Sequence, residues 1–469
     1  MTSQTKTYPN IIIILADDLG YGDLGCYGSK KINTPNIDKL ASQGIRFTDA
    51  HSSSAVCTPS RYSILTGRYC WRTKLRRSVL WGYSFPLIEP GRPTIATLMK
   101  EKGFHTAVIG KWHLGLQWPT QNYERLRNPN EKYPNIDFSK PIKGGPTSLG
   151  FDYFFGISGS LDMSPYCFIE NEHTVGIPSI PKEPLYQQQG EGFMVPGWRD
   201  DLVDITFTKK AIEFIQDHHK NYKRQPFFLY LPTAAPHRPC DVQPDFVKGK
   251  SKAGDRGDMV VLFDWVVGRI VDELEQLGVN ENTLIIVTSD NGARATCFNG
   301  EDYGHKSNGP WRGQKGDIWE GGHREPLIAR WPKIIKPNTF SNEMFCLVDF
   351  FATFSDIFDL PNYNGFAEDS FNMSLIFNGE TQEKSIRDSL IHHSANGKFS
   401  IREKNWKLIK GLGSGGFTLP ARIIPKKGDP KGQLYDLKRD PYEKYNLWNE
   451  NPEKVDQLEK MLNKIKKKT

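Results

Sequence analysis

Long apolar runs are missing from this 469-residue sequence. No segment approaches the roughly 20 apolar residues that a membrane-spanning helix requires. The run IIIIL at residues 11–15 is far shorter, and its composition predicts a buried strand. The opening residues MTSQTKTYPN contain neither a basic stretch nor a long apolar one, so we expect no secretory leader there. The sequence therefore indicates neither a membrane span nor a signal peptide.

The cysteine spacing that is typical of zinc sites is also missing. The seven cysteines form no CxxC or CxxH pattern, and they are too scattered for a small disulfide-stapled domain. The net charge is +7, but four lysines lie in the closing segment KIKKKT, where a solvated tail is a simpler interpretation than nucleic-acid binding. Lysines and arginines elsewhere still suit an anionic substrate.

The order of apolar segments predicts an α/β fold. Apolar runs alternate with helical patterns, which is typical of a large, mostly parallel sheet sandwiched by helices. Residues 116–191 show weak periodicity, and we interpret them as a long irregular insertion that lines a site. From about residue 387 the pattern changes to short strands and a closing helix. We therefore predict a larger domain at 1–386 and a small α+β domain at 387–469, with an antiparallel sheet and one helix.

A single cysteine stands at the start of a predicted helix in SAVCTPSRYSILTG, residues 54–67. Thr58 is a candidate cap, Pro59 suits the first turn, and Gly67 is a natural end. A helix start favours negative charge, so Cys57 could lie at an oxyanion site or have a lowered thiol pKa. The alternative is a buried, inert cysteine.

Polar residues follow four of the predicted strands. In an open parallel sheet, ligands bind beyond the carboxyl ends of the strands, so neighbouring strands would bring these side chains together. They are Asp17 and Asp18, Lys111 and His113, His237, and Asp290 and Asn291.

The chemistry of these residues indicates two kinds of ligand. The carboxylates and the amide are donors for a hard cation, although each DDLG or DNG segment alone is also typical of a turn. Lys111, His237 and Lys315, together with a helix start, form a candidate site for a tetrahedral anion.

These motifs resemble those of the formylglycine-dependent type I sulfatases, within the alkaline-phosphatase-like superfamily. The most specific match is CTPSRYSILTGR, which has the C-x-P-x-R signature of that family. Further matches span nearly the whole length: NIIIILADDLGYGDLGCYG, AVIGKWHLG, SDNG, WRGQKGDIWEGGHREP and LYDLKRDPYEKYNL. The resemblance implies an enzyme, a sulfuric ester hydrolase, whose catalytic domain is the segment 1–386.

The resemblance also implies the nature of the nucleophile. Cys57 would be oxidised to Cα-formylglycine by a formylglycine-generating maturation enzyme. One hydroxyl of the hydrated aldehyde attacks sulfur and forms a covalent sulfate ester, and the other then expels sulfate. The implied Ca²⁺ ligands are residue 57 together with Asp17, Asp18, Asp290 and Asn291, and the ion serves as Lewis acid.

The remaining catalytic roles come from the same resemblance. Arg61 would reach the aldehyde and the metal carboxylates, and Lys111 and Lys315 would bind the sulfate oxygens. His113 is expected to take the proton of a hydroxyl on residue 57, and His237 to assist the leaving alcohol.

The implied substrate is a sulfated carbohydrate. The stretches VLWGYSFPLIEPGRPTIATL and GISGSLDMSPYCFIEN are similar to bacterial carbohydrate sulfatases, including those that remove 6-O-sulfate from galactose or N-acetylgalactosamine, so exo action is expected. Asp162 and Arg312 are candidate sugar contacts, or alternatively a structural ion pair. Four aromatic residues either stack on sugars or pack internally: Trp81, Tyr83, Trp118 and Tyr166. The resemblance implies a periplasmic or secreted location.

Two other functions stay open from the sequence. A phosphate or phosphonate ester hydrolase of the same superfamily is one. Such enzymes, however, typically use serine or threonine as the nucleophile and bind a second metal through an Asp-His pair. A non-catalytic binder of sulfated glycans is the other, if Cys57 is unmodified. A cysteine phosphatase is disfavoured because Ser63 stands where its loop would need arginine.

Overall fold

The structure is a computed structural model that describes residues 8–122, 126, 128–185, 189–294, 303–360, 365–377 and 385–467. Its strands are β1 Asn10–Ala16, β2 Ile45–His51, β3 His105–Lys111, β4 Tyr153–Ile157, β5 Ile169–Glu170, β6 His173–Thr174, β7 Ile180–Lys182, β8 Gly192–Met194, β9 Phe227–Pro232, β10 Thr283–Ser289, β11 Arg324–Arg330, β12 Thr339–Ser341, β13 Phe345–Cys346, β14 Leu390–His393, β15 Phe399–Glu403, β16 Trp406–Ile409 and β17 Gln433–Asp436.

A large sheet forms the centre of the molecule, with the strand order β12-β2-β11-β10-β1-β9-β3-β4-β5-β6 and β13 paired to β2. The five strands from β10 to β4 run parallel to one another. Strand β11 is antiparallel to both of its neighbours, and β5 and β6 form an antiparallel edge. The predicted large, mostly parallel sheet is therefore confirmed.

Both faces of the sheet are buried. Along β1, Ile11, Ile13 and Leu15 pack into one apolar cluster, whereas Ile12, Ile14 and Ala16 pack into a second. Because strand side chains alternate between faces, an uninterrupted apolar run such as IIIIL requires cover on both sides.

Helices supply that cover. On one face lie α1 Pro35–Ser42, α4 Val203–Asn221 and α5 Gly254–Gln276, and on the other lie α2 Cys57–Thr66, α3 Ile95–Glu101, α6 Phe350–Ile357 and α7 Ser374–Phe377. Within the described residues, none of the helices combines the length and apolar character needed to cross a membrane.

A smaller antiparallel sheet, β14-β15-β16-β17, lies near the C-terminus with helix α8 Pro452–Lys467. Val455, Leu458 and Leu462 of α8 are buried against this sheet, and Ile465 packs at the margin of the same cluster. The predicted small sheet with one helix is confirmed.

Two local expectations differ from the structure. Thr58 does not cap α2: Val56 is the N-cap residue without a side-chain hydrogen bond, and the Thr58 hydroxyl donates to the His113 carbonyl at 3.0 Å. Residues 116–191 are not irregular throughout, because β4 pairs with β3 in the large sheet. Gly67 does end α2, with a φ of 65°.

Candidate active site

The four strands followed by polar residues are direct neighbours. Their order in the sheet is β10-β1-β9-β3, and all four are parallel. Their carboxyl ends therefore meet at one edge of the sheet, beside the first turn of α2. The structure brings together the residues that the sequence analysis singled out: Asp17, Asp18, Cys57, Arg61, Lys111, His113, His237, Asp290, Asn291 and Lys315.

Cys57 lies at the centre of this group. Its Sγ is 3.4 Å from Asp17 Oδ1, and only 2% of the residue is exposed. Burial raises the pKa of the Cys57 thiol, and the negative charge of Asp17 raises it further, while Lys111 and Lys315 lower it without reversing the shift. The expectation of a lowered thiol pKa is therefore wrong, because desolvation outweighs the favourable end of the helix.

Four acidic or sulfur ligands lie close enough to hold one cation. Asp17, Asp18, Cys57 and Asp290 each offer an atom, and these atoms lie within 4.8 Å of one another. Asn291 is next to them: its Nδ2 donates to Asp18 Oδ1 at 2.8 Å, whereas its buried Oδ1 has no hydrogen-bond partner among the described residues. A buried carbonyl oxygen without a donor is a ready ligand, and this oxygen-rich set suits a hard divalent cation such as Ca²⁺.

Three fixed cations surround the carboxylates. Arg61 donates to Asp290 Oδ2 through Nε at 2.9 Å and approaches it through Nη2 at 2.8 Å, while its Nη1 donates to the Lys111 carbonyl at 2.8 Å. Lys111 Nζ donates to Asp17 Oδ2, and Lys315 Nζ lies 2.7 Å from Asp18 Oδ1. Because all of these groups are buried, each charge is tolerated only while its oppositely charged partner is in place.

The surrounding charges give the buried carboxylates different pKa values. Burial raises the pKa of Asp17, but the surrounding positive charges, that of Lys111 first and that of Arg61 with it, outweigh burial and hold that pKa well below its usual range. Burial likewise raises the pKa of Asp290, and here it prevails over Arg61, so the pKa rises to about 6. The carboxylate at Asp290 is therefore the one whose ionisation most needs additional positive charge.

The two histidines are neutral and have opposite tautomers. His113 Nε2 donates to the Leu80 carbonyl at 2.8 Å, which leaves its buried Nδ1 unprotonated and, in the described part of the chain, without a partner. His237 Nδ1 donates to the Arg238 carbonyl at 2.9 Å, and its Nε2 is 3.7 Å from Asp18 Oδ2. Burial lowers both pKa values, helped by Lys111 at His113 and by Lys315 at His237. Each ring can therefore accept a proton.

A pocket of about 260 Å³ opens onto these groups. Cys57, His113, His237 and Lys315 line it, together with Asp162. Asp162 Oδ2 accepts from Arg238 at 2.6 and 2.9 Å, so its ion-pair partner is Arg238. A pocket of this size suits one sugar ring with its sulfate group.

Arg312 does not line this pocket. Its guanidinium lies 3.7 Å from the centre of the Trp319 ring, donates to the Tyr435 hydroxyl at 3.2 Å and donates to the Glu443 carbonyl. Its alternative ion pair with Asp162 is wrong, because Asp162 pairs with Arg238 and Arg312 is held against the C-terminal sheet. Its expected contact with a sugar stays a prediction, at a position outside this pocket.

The four aromatic candidates differ in whether they line the pocket. Trp81 lines the pocket and is 39% exposed. Tyr83 and Trp118 are buried and pack edge to face at 5.6 Å, and Tyr166 is also buried. Only Trp81 of the four is available for stacking on a ligand.

The sequence analysis missed several pocket residues. Arg238 lies next to His237 and could have been noticed on that ground, but nothing in the sequence pairs it with Asp162. Asn396 and Phe417 also line the pocket, although they come from loops of the C-terminal segment. Buried Arg256 donates to the Asp18 carbonyl at 2.8 Å and pairs with Asp23 at 2.7 Å, which fixes the strand end that carries Asp18.

Comparisons with known proteins match nearly the whole chain. The family model described as Sulfatase matches residues 9–360, and the model described as N-sulphoglucosamine sulphohydrolase, C-terminal, matches residues 314–468. An N-acetylgalactosamine-6-O-sulfatase of Bacteroides thetaiotaomicron is 35% identical, over 99% of this chain and 94% of that protein. Human arylsulfatase A is 31% identical, over 94% of this chain and 83% of that protein. A solved structure from work on glycosaminoglycan metabolism by Bacteroides thetaiotaomicron matches with a TM-score of 0.85 at 32% identity, covering 98% of this chain and 100% of the other.

Proposed function

The chain belongs to the sulfatase family, and from this premise we propose that it hydrolyses a sulfate ester of a carbohydrate, with formylglycine at position 57 as nucleophile. Membership in the family makes it a sulfuric ester hydrolase. The observation that carries the proposal is the convergence of Asp17, Asp18, Cys57 and Asp290 on one point, with ligand atoms within 4.8 Å of one another. Lys111 and Lys315 flank that point through their contacts with Asp17 and Asp18.

Conversion of Cys57 is supported by the properties of its thiol. The raised pKa keeps the thiol protonated, and a protonated thiol is a weak nucleophile. The hydrate of formylglycine supplies instead a hydroxyl nucleophile, with a second hydroxyl on the same carbon for release of sulfate. A formylglycine-generating enzyme is thus the maturation partner that we propose.

Ca²⁺ is the metal that we propose for the acidic cluster. Asp17, Asp18, Asp290 and residue 57 would hold it, with the unpartnered Oδ1 of Asn291 as the neutral ligand. When bound, the ion supplies Lewis acidity and a template for the sulfate ester. Arg61 keeps Asp290 in place through two contacts to one carboxylate oxygen and is tied to β3 through the Lys111 carbonyl.

Lys111 and Lys315 are the proposed sulfate-binding groups. Both ammonium groups contact carboxylates that adjoin Cys57, so a sulfate group bound at residue 57 would lie close to both of them. The two positive charges would then stabilise the negative charge that develops on the sulfate oxygens. His113 Nδ1 is the proposed acceptor for a proton from residue 57, because Nε2 is fixed by the Leu80 carbonyl. His237 Nε2, 3.7 Å from Asp18 Oδ2, is the proposed group at the leaving oxygen.

The proposed substrate is a terminal sugar with a 6-O-sulfate, either N-acetylgalactosamine or galactose. The name of the Bacteroides relative supports this choice, and the small volume of the pocket supports exo action. Asp162, paired with Arg238, is the proposed contact to sugar hydroxyls.

The proposed division at 386/387 does not separate the site from the C-terminal segment, because Asn396 and Phe417 of that segment line the pocket. The smaller domain is then part of the substrate-binding wall. A periplasmic or extracellular location is also proposed, because the family resemblance implies it.

A substrate panel tests the proposed function. The protein, coexpressed with a formylglycine-generating enzyme and supplied with Ca²⁺, is assayed on 6-O-sulfated N-acetylgalactosamine, 6-O-sulfated galactose, their 4-O-sulfated isomers and the 6-phosphate of each sugar. We expect release of sulfate from the 6-O-sulfated sugars. Faster hydrolysis of the 6-phosphates, or tight binding of all sulfated sugars without turnover, would overturn the proposal in favour of a phosphohydrolase or a glycan-binding protein.

A further inference from the structure

A second cavity lies beside the pocket of Cys57. This open cleft of about 640 Å³ is lined by five basic side chains, and we refer to it as the basic cleft: Arg77, Lys398, Lys410, Arg422 and Lys466. None of the described residues that line it is acidic. The proposed catalytic steps use none of these five side chains, so the charge of the cleft needs a separate explanation.

Positive charges crowd one another in the basic cleft. Burial and the charge of Arg422 lower the pKa of Lys398 to about 8, even though its Nζ donates to the Leu412 carbonyl at 2.6 Å. Burial and the charges of Arg76 and Lys410 likewise lower the pKa of Lys466. Lys410 pairs with Glu459 on α8. Repulsion among neighbouring cations is relieved when an anionic ligand binds between them.

The basic cleft adjoins the catalytic pocket. Asn396, in the turn between β14 and β15, lines both cavities. The adjoining segment also serves both, because Ser78 lines the pocket and Arg77 lines the cleft. The two segments are joined by the Ser78 amide, which donates to the Ala395 carbonyl at 2.7 Å. A chain that leaves the pocket past Asn396 therefore enters the basic cleft.

The cleft also has apolar surface that suits a sugar ring. Ile423 and Ile424 line it and are 43% and 76% exposed. Phe399 also lines it, with Lys466 Nζ 4.0 Å from the ring centre. Apolar side chains next to cations match a sugar, whose C–H faces are apolar and whose sulfate or carboxylate groups are anionic.

We propose that the basic cleft binds anionic sugar residues that follow the terminal sulfated sugar, so that the enzyme prefers oligosaccharides of a sulfated or uronic-acid-containing glycan over single sugars. This inference rests on the proposed function and extends it to the remainder of the substrate. It predicts that part of the binding energy comes from residues far from the reacting sulfate group.

The kinetic test compares one sugar with a longer chain. The substrates are 6-O-sulfated N-acetylgalactosamine and two tetrasaccharides that end in it, one with uronic acids only in the remaining positions and one with uronic acids and further sulfates. The double variant Arg77→Gln, Arg422→Gln removes two exposed charges of the cleft. We expect the ratio of kcat/KM on either tetrasaccharide to that on the monosaccharide to fall about threefold to tenfold, as expected for two partly exposed ion pairs.

Salt and a matched control make the test specific. The difference between wild type and variant should shrink at roughly 0.5 M salt, because screening weakens exposed ion pairs. The control variant Lys209→Gln, Arg439→Gln removes two exposed charges elsewhere, with side-chain exposures of 76% and 90%, and should keep the wild-type ratio. An unchanged ratio in the cleft variant, or an equal fall in the control, would overturn the inference.

Product binding separates this inference from the proposed function. Calorimetric titration with the desulfated tetrasaccharide needs no turnover, and we expect its Kd to rise about threefold to tenfold in the cleft variant. Absence of sulfate release from the monosaccharide and from both tetrasaccharides, with this binding difference intact, would reject the proposed function alone. Turnover on the monosaccharide with equal product affinity in both proteins would reject the cleft.

Discussion

Replacement of Asn291 by alanine removes the amide oxygen that we propose as a ligand of the metal. Asn291 Oδ1 is buried and has no hydrogen-bond donor in the described ranges of the chain. Such an oxygen destabilises the metal-free protein by about 1–3 kcal/mol, and a bound cation would satisfy it. Asn291→Ala leaves the carboxylates of Asp17, Asp18 and Asp290 in place. We therefore expect a protein that folds but binds Ca²⁺ more weakly.

The size of the effect follows from linkage. Ca²⁺ at about 1,000 times its Kd stabilises the folded protein by about 4.1 kcal/mol. If loss of the ligand raises Kd about 100-fold, the same concentration stabilises by only about 1.4 kcal/mol. At about 2.1 cal/mol/K per residue, a chain of 469 residues has an unfolding entropy of about 1 kcal/mol/K. The Ca²⁺-dependent rise in Tm should thus be about 3 °C smaller in the variant.

Differential scanning calorimetry in chelator and in excess Ca²⁺ measures this rise. The matched control is Asn308→Ala, because Asn308 is also a buried amide but has both ends bonded: Oδ1 accepts from the Ala293 amide at 2.8 Å, and Nδ2 donates to the Ala293 carbonyl at 3.0 Å. Asn308→Ala should lower Tm in both conditions and keep the full Ca²⁺-dependent rise. An equal rise in wild type and Asn291→Ala would refute the assignment of Oδ1 as a ligand.

Three further predictions concern charge and acid. Lys407 is fully buried, 3.0 Å from Glu320 and 2.9 Å from Glu443, so Lys407→Met should lower the free energy of unfolding in urea by about 3–5 kcal/mol. The exposed control Lys460→Met should change it by less than about 0.5 kcal/mol, and a similar small loss in Lys407→Met would contradict the account. Burial lowers the pKa of His393 to about 4. Between pH 6.5 and 4 the unfolded chain therefore binds a proton that the folded protein does not bind, and the free energy of unfolding falls, with a loss of ~2 kcal/mol at pH 5. His393→Gln should therefore flatten the pH dependence of stability between pH 6.5 and 4, and an unaltered slope would speak against this origin. Lys315→Gln should reduce kcat/KM on a 6-O-sulfated sugar about 10²- to 10³-fold, whereas the exposed Lys306→Gln should not, and a loss of less than about threefold would remove Lys315 from the sulfate site.

The position of the site could be predicted from the sequence because it depends on strand ends. Each of β10, β1, β9 and β3 is a largely apolar, buried strand. Asp290 and Asp17 directly follow β10 and β1, Lys111 is the last residue of β3, and His237 lies five residues beyond β9. Once such strands are parallel neighbours, their ends meet regardless of detail elsewhere. The convergence of Asp17, Lys111, His237 and Asp290 required no knowledge of the loops.

The wall of the pocket could not be predicted in this way. Arg312 is three residues before Lys315, but Gly313 between them has a φ of 87° and the chain turns, so the two side chains point to different places. Asp162 and Arg238 are 76 residues apart, and nothing in either local sequence indicates their pairing. Asn396 likewise reaches the pocket only because strand β14 of the C-terminal sheet is bridged, at His393, to Ser54 in the segment before α2.

The acidity of the Cys57 thiol could not be predicted from the sequence either. Its place at a helix start suggests a lowered pKa, whereas its burial and its contact with Asp17 raise that pKa. Desolvation depends on the whole surrounding structure, and it exceeds the local effect of one helix end. Local pattern alone therefore gave the wrong sign for the acidity of this residue.

Mass spectrometry of the tryptic peptide FTDAHSSSAVCTPSR, residues 47–61, tests the central claim most directly. The protein is produced together with a formylglycine-generating enzyme, and its sulfate-releasing activity is measured on the same sample. We predict that residue 57 carries an aldehyde, seen also as its hydrate, and that activity scales with the converted fraction. Sulfate release by protein in which residue 57 is entirely an unmodified cysteine would contradict the account.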